Sequence, residues 1–408
     1  MPMLYGQLES CPRCRQPESY GRCQVSKKGL VFRCNACRHF EVKPLPAIRK
    51  KIIYVDQFAL SKMVKSKDDD FWADLYQRLT KLTANEVVTC PFSPVHVEES
   101  NFDFRHRDAL KTMYRKLAGD DEFRRAEDIE KRQLARSLHA FIGCTKSKAT
   151  DLFDDDAFDS SPHRWSEVFH LHLDFPYDDD LIDELRKAKE SLHASMQSLR
   201  ERWQANPVTF EEQVVAETLS FRSAIESYRQ QTGGDPDKYW WVTSPLHLDV
   251  VNWLARTVQT IDPDEQDPVS VLDRFVESDE FAETPCVYIQ SRIWAKIAEL
   301  VLNPRGSRKP RASDHYDAKV LAIYAPYCDA MLLDGGFREI AIDARVACEK
   351  RFGVRIFSEQ VRDKFIAYLD DLERSVPIDH YRTLADIYGV EATASHATVS
   401  AESPERVE

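Results

Sequence analysis

Two short apolar runs, each ending in an aspartate and lying far apart in the chain, constrain this fold most. Lys51-Ile-Ile-Tyr-Val-Asp56 and Tyr327-Cys-Asp-Ala-Met-Leu-Leu-Asp334 both supply the β-branched, aromatic and aliphatic residues of a buried strand. A carboxylate at a strand tip does nothing for packing, because burying a charge is costly unless it is paired or metal-bound. In open α/β sheets, ligands bind at the carboxyl ends of the strands. Asp56 and Asp334 therefore predict one acidic pocket, and hard carboxylate oxygens suit Mg²⁺ or Mn²⁺.

The chain has 408 residues, more than one typical domain, and at 43% hydrophobic and 30% charged residues it can bury a core and stay soluble. No apolar run approaches the roughly 18 residues of a membrane span. The start, MPMLYGQLESCPRC, lacks the basic-then-apolar pattern of a signal peptide. Five of the ten cysteines fall within the first 37 residues and the others are scattered, so a reducing, cytoplasmic setting is expected. A net charge of −12 argues against coating nucleic acid by bulk electrostatics but permits a local basic surface. The runs Asp68–Asp70, Asp154–Asp156 and Asp178–Asp180 read as solvated loops.

Periodicity predicts a strand over 51–60, then a helix over 70–84 with Phe71, Trp72, Leu75, Leu79 and Leu82 on one face. Glu86–Pro91 reads as a second strand, and Ser93-Pro94 as the cap and first turn of another helix. Residues 107–300 are mostly helical in pattern, ending in a helix over Val287–Leu302. Pro304, Gly306 and Pro310 then enforce a loop bearing Arg305, Arg308, Lys309 and Arg311. A helix over 315–325, a strand over 329–333, a helix over Ala341–Phe352, a strand over Val354–Phe357 and a helix over Glu359–Arg374 complete the pattern. The fold class is α/β: a parallel sheet in two parts, 50–106 and 304–389, interrupted by a helical insert at 107–303. Residues 390–408 have the composition of a disordered tail.

Before all this stands a cysteine module at 1–43. Cys11-Pro-Arg-Cys14 and Cys34-Asn-Ala-Cys37 offer two thiolate pairs at a spacing that a β-hairpin can bring together, which favours Zn²⁺ over a redox pair or disulfides. The module resembles a zinc ribbon. A four-cysteine site leaves no open coordination position, so its expected role is folding and docking.

The remaining acids follow a recognisable order. Glu98 and Glu99 lie on the helix after the second strand, Asp314 and Asp317 at the start of a later helix, and Asp329 and Asp334 flank the strand Ala-Met-Leu-Leu. This order resembles the PIN-domain nucleases: a strand ending in Asp (Asp56), Ser-x-x-x-x-x-Glu on the next helix (Ser93 and Glu99), an Asp opening an Ala-rich helix (Asp317) and a strand leading to a fourth acid (Asp334). The likeness covers about 50–105 and 312–375. The chain departs from the pattern in the long gap between the second and third acids, in Gln57-Phe58 where Thr-Asn is usual, and in Leu333 where Thr or Ser is common.

The resemblance implies a nuclease whose Asp56, Glu99, Asp317 and Asp334 hold one or two Mg²⁺ or Mn²⁺ ions, with Glu98, Asp314 and Asp329 as further candidate ligands. The expected substrate is RNA or another single-stranded nucleic acid, drawn in by Arg305, Arg308, Lys309 and Arg311, which read equally well as a solvated basic turn. Two competing classes remain. One is a non-catalytic scaffold that binds nucleic acid or a protein partner through the ribbon or the insert; the other is a phosphatase using the same metals. His96 could orient a carboxylate or be a satisfied core histidine, His170 and His172 lack partners at ligand spacing, and Tyr239-Trp240-Trp241 reads as core rather than base-stacking platform. No Walker loop, GxGxxG or GxSxG occurs.

Overall fold

The computed structural model describes residues 5–26, 29–65, 69–103, 105–119, 121–143, 148–166, 179–241, 246–303 and 308–388. Arg305, His170 and His172 lie outside these, as do the side chains of Tyr239, Trp240 and Trp241. The N-terminal module is an antiparallel sheet of β1 (Tyr5–Glu9), β2 (Tyr20–Ser26), β3 (Gly29–Cys34) and β4 (Phe40–Lys43), in that order. A second, all-parallel sheet contains β5 (Lys51–Val55), β6 (Val88–Thr89), β7 (Ala330–Leu332) and β8 (Arg355–Phe357), ordered β6-β5-β7-β8. The molecule is thus mixed α/β, with an N-terminal cysteine cluster and many helices between β6 and β7. Among the described residues no helix is long and apolar enough to cross a membrane.

Strand β5 is central. Ile53, Tyr54 and Val55 pair with Ala330, Met331 and Leu332 of β7, and Lys51 and Ile52 pair with Val88 and Thr89 of β6. Strands buried on both faces read as continuous apolar runs, and Ile52 to Val55 are all buried. The strand is shorter than the sequence predicts. It stops at Val55 because helix α1 (Gln57–Lys65) starts at once, with the amides of Ala59 and Leu60 bonding to the Asp56 carbonyl. Residues 57–60 look strand-like only because Phe58, Ala59 and Leu60 begin a helical stripe, whose buried members are Ala59, Leu60 and Met63.

Helix α2 (Asp70–Ala84) follows its predicted bounds, capped by Asp69, with Trp72, Leu75, Leu79 and Leu82 buried. The stretch 86–91 forms only the two-residue β6, because the chain turns at Glu86 (φ 58°) and leaves the sheet after Thr89. Helix α3 (Pro94–Phe102) starts after Ser93 as expected. Helices α4 (Arg107–Ala118) and α5 (Ala126–Phe141) begin the long helical stretch, which ends with Pro285–Leu302. The helix expected over 341–352 lies elsewhere: Asp334 caps a helix at Gly335–Ala341, accepting the Phe337 amide at 3.0 Å, and a short one covers Cys348–Phe352. The closing helix Arg362–Arg374 is followed by a further one, Ile378–Tyr388, whose Leu384 and Ile387 pack with Val25 and Leu30 of the N-terminal sheet and with Trp165.

Two polar groups tie these parts together. Lys50 is buried, ion-paired to Glu86 at 2.6 Å and to Asp121 at 3.9 Å, while the Tyr388 hydroxyl donates to Glu86 at 2.8 Å. Asp156, expected in solvent with its acidic run, is instead buried and paired with Arg136, and it accepts from the Tyr327 hydroxyl at 3.3 Å. A charge excluded from water needs such partners.

His96 fixes the carboxyl end of β5. Its Nδ1 accepts the Ser93 amide at 2.9 Å, so the proton sits on Nε2, which donates to the Val55 carbonyl at 2.9 Å. The ring also stacks on Tyr54, 4.9 Å between centroids. It is the satisfied core histidine of the two alternatives. Burial pulls its pKa down from 6.5 to about 4, against the Val55 hydrogen bond, so the folded protein keeps it neutral. The unfolded imidazole takes up a proton below its normal pKa that the folded one refuses, so this residue's contribution is full above pH 6.5 and is lost as pH falls towards 4. His96→Phe is expected to lower stability at pH 7.5 by about 2–4 kcal/mol in urea unfolding. The gap to wild type should narrow as the pH is taken from 6.5 to 4; a constant gap across that range rules out the buried neutral imidazole.

Candidate functional site

The N-terminal cysteines converge. Sγ of Cys11 lies 3.7 Å from that of Cys37, and Sγ of Cys14 lies 3.7 Å from that of Cys34. Tetrahedral Zn–S bonds of about 2.3 Å place sulfurs about 3.8 Å apart, so the spacing fits one Zn²⁺. Among the described residues this is the group of three or more Cys, His, Asp or Glu whose ligand atoms all lie within 4.8 Å of one another. The knuckles are built alike. Cys11 and Cys34 each donate their amide five residues ahead, to the carbonyls of Gln16 (3.0 Å) and His39 (2.8 Å). Amides within each knuckle point at sulfur: Arg13 and Cys14 at Cys11, Ala36 and Cys37 at Cys34. Burial works against the Cys34 thiolate, yet the Ser19 hydroxyl and the Cys37 and Ala36 amides hold its pKa down to about 6. A thiolate stabilised by N–H donors is the form that zinc binds. Cys23 stands outside the cluster as a free thiol.

The second candidate site lies at the carboxyl edge of the parallel sheet. The Asp56 amide donates to the Leu332 carbonyl at 3.1 Å, and Leu333 donates to Phe357 at 2.9 Å, which locks the strand tips side by side. Asp56 is half-buried: burial raises its pKa, the amides of Gln57 and Phe58 lower it, and the Asp334 carboxylate raises it again, to about 6. Asp317 lies on the helix Ala312–Tyr324, also half-buried. Burial, then the carboxylates of Asp56, Asp334, Glu99 and Asp314, push it up to about 9. Asp317 thus lies within electrostatic reach of Asp56, Glu99 and Asp334, and Asp56 within reach of Asp334, the four coming from separate segments. In the core beside β5, Tyr54 stacks on Tyr324 at 5.7 Å, and Phe123 lies 4.6 Å from Tyr324.

Other candidates are placed differently. Asp329 sits at the amino end of β7, away from the strand tips, where it accepts the Ile52 amide at 2.9 Å and pairs with Lys51 at 2.7 Å. Asp314 is buried, paired with Arg308 and bonded to the Arg311 amide at 2.9 Å. Arg308 is therefore engaged within the chain, while Lys309 and Arg311 are exposed. Glu98 turns towards the helical stretch, its pKa raised by burial and by Glu127 against the pull of Lys319 and Arg125. Lys319 pairs with Glu127 of α5. Glu130, raised by burial, and Glu127, held down by Lys319 against burial, escaped sequence reasoning because acids in a charged helix look like any solvated face.

As to fit, the acids that act on Asp317 add negative charge that a hard divalent cation would balance. Their oxygens are nevertheless looser than the cysteine sulfurs, since no three carboxylates among the described residues meet the 4.8 Å spacing. No protein-family model, curated protein or solved structure matches the chain.

Because Asp317 binds its proton more tightly when folded, it lowers metal-free stability as pH rises from 3.8 towards about 9. Asp317→Asn is expected to raise the melting temperature at pH 8 by about 2 °C or more in chelator-treated protein, with little change at pH 4. An unchanged or lower melting temperature at pH 8 contradicts the acidic crowding. For the ribbon, Cys34→Ser should lose the zinc that elemental analysis finds in the wild type; equal zinc in both excludes the four-cysteine site.

Proposed function

We propose that the protein is a metal-dependent nuclease of the PIN-domain type, cutting single-stranded RNA at the acidic cleft. The observation that carries this reading is the strand pairing that sets Asp56 and Asp334 at one edge of a parallel sheet, with Asp317 raised there by burial and by the carboxylates of Asp56, Asp334 and Glu99. The order of these acids along the chain matches the PIN pattern, and the open edge of the sheet is where such a fold takes its ligand.

Asp56, Glu99, Asp317 and Asp334 would hold the cation, which supplies positive charge to favour a hydroxide nucleophile and to offset charge on the leaving oxygen. Asp317 gives up its proton on binding, so apparent cation affinity rises with pH up to about 9, by roughly tenfold per unit where one proton is released. The Gln57 and Phe58 amides favour the ionised form of Asp56, the form a cation would bind. Lys309 and Arg311, exposed just before the Asp317 helix, are available to the phosphate backbone.

The looser spacing of the carboxylates favours a second reading, a scaffold that binds nucleic acid or protein with no chemistry at the cleft. Cleavage of a labelled single-stranded RNA with Mn²⁺ separates the two. Wild type should cut, and Asp56→Asn and Asp317→Asn should each lose at least about 100-fold in rate. Equal rates in all three proteins, or no cleavage by any, leave the scaffold reading standing.

A further inference from the structure

The charge of this chain is divided unevenly. Residues 1–43 hold eight Lys and Arg against three Asp and Glu, a formal +5 on a chain whose total is −12, so the remainder carries −17. The ribbon is a small cationic module on an acidic body.

Three of the eight, Arg13, Arg15 and Arg38, lie in the two knuckles. In each, the residue after the second cysteine has a positive φ: Arg15 at 60° after Cys14, and Arg38 at 59° after Cys37. These are equivalent positions, each just before the residue whose carbonyl receives the knuckle's first cysteine amide. The left-handed conformation is strained for a residue with a Cβ and favours glycine. Both knuckles carry arginine there instead. Both arginines are exposed, as is Arg13 inside the first knuckle, and no acid pairs with any of the three among the described residues. Because the sulfurs of the two knuckles interleave at 3.7 Å, both turns share one end of the ribbon. Beside them on β4, the edge strand of the sheet, Phe40 is 65% exposed.

From this we infer that the zinc end of the ribbon is a single-stranded nucleic-acid grip. Arg13, Arg15 and Arg38 contact the phosphate backbone, and Phe40 stacks on a base. Unpaired guanidinium groups next to an exposed aromatic match what single strands offer, a regular negative backbone and open base faces. An acidic peptide would satisfy the charges but has no use for the aromatic face. The strain at Arg15 and Arg38 has a purpose on this account: glycine would serve the turn better, and only the guanidinium serves the ligand. The inference deepens the nuclease reading by naming what holds the strand, but the binding itself does not require cleavage.

The test uses the full zinc-loaded chain without added Mg²⁺ or Mn²⁺ and reads binding of a fluorescent 12-nucleotide single-stranded RNA by anisotropy. Arg15→Gly with Arg38→Gly should weaken binding at least tenfold and flatten the salt dependence by about 0.7 per lost phosphate contact. The same double variant should melt no lower than wild type, because glycine relieves both turns. Phe40→Ala should weaken binding about fivefold or more with the salt slope unchanged. Unchanged RNA affinity in these variants overturns the grip, as does equal competition by poly-glutamate at matched charge, which would make the patch a generic acid binder. Because the readout is binding, loss of the grip leaves the cleavage result with Asp317→Asn to stand or fall alone.

Discussion

Everything in the parallel sheet depends on one long-range pairing, that of β5 with β7. The Ile52 amide bonds to a residue 277 positions further along the chain, and the same strand pair delivers Asp56 and Asp334 to one edge. Closing so long a loop is entropically unfavourable, although the cost grows only slowly with length. The offset comes from strands that are buried on both faces and from the folded helical stretch between them, which brings its own ends together. Asp329 and Lys51 fasten the amino end of the pair, and the Asp56 amide bonded to Leu332 fastens the carboxyl end. The register that puts apolar side chains in the core also puts two carboxylates where they repel.

On the proposed reading, that repulsion is what a bound cation would relieve. Burial raises Asp317, and the neighbours that disturb it are other carboxylates. His96 is not among the cleft groups, yet it joins the start of α3 to the end of β5, and so fixes Glu99 relative to Asp56. Asp314 illustrates the opposite outcome, since pairing with Arg308 turns an acid three residues from Asp317 into a brace for the helix. Neighbouring carboxylates in one motif can serve stability and function separately, according to whether a guanidinium reaches them.

The parts legible in the sequence were those set by local chemistry. Four cysteines at knuckle spacing, the amphipathic stripe of α2, and Ser93-Pro94 at a helix start all carry their signal within a few residues. What escaped needed distant partners. Residues 57–60 pass for strand until the Asp56 carbonyl is seen to start a helix, and Asp156 passes for a solvated acid until Arg136 and Tyr327 reach it across the fold. Asp329 looked equivalent to Asp334 because periodicity does not say at which end of a strand the ligand edge lies; parallel pairing with β5 decides that. The helix Ile378–Tyr388 went unnoticed because its apolar residues make sense only against the ribbon.

The central claim is that the acids at the sheet edge share a divalent cation, and an anomalous difference map from a Mn²⁺-soaked crystal addresses it directly. The account predicts a peak bounded by the Asp56, Glu99, Asp317 and Asp334 carboxylates, with oxygens drawn in to about 2.0–2.2 Å, a distance typical of small hard divalent cations. A map whose anomalous signal at millimolar Mn²⁺ is absent from that edge would contradict it.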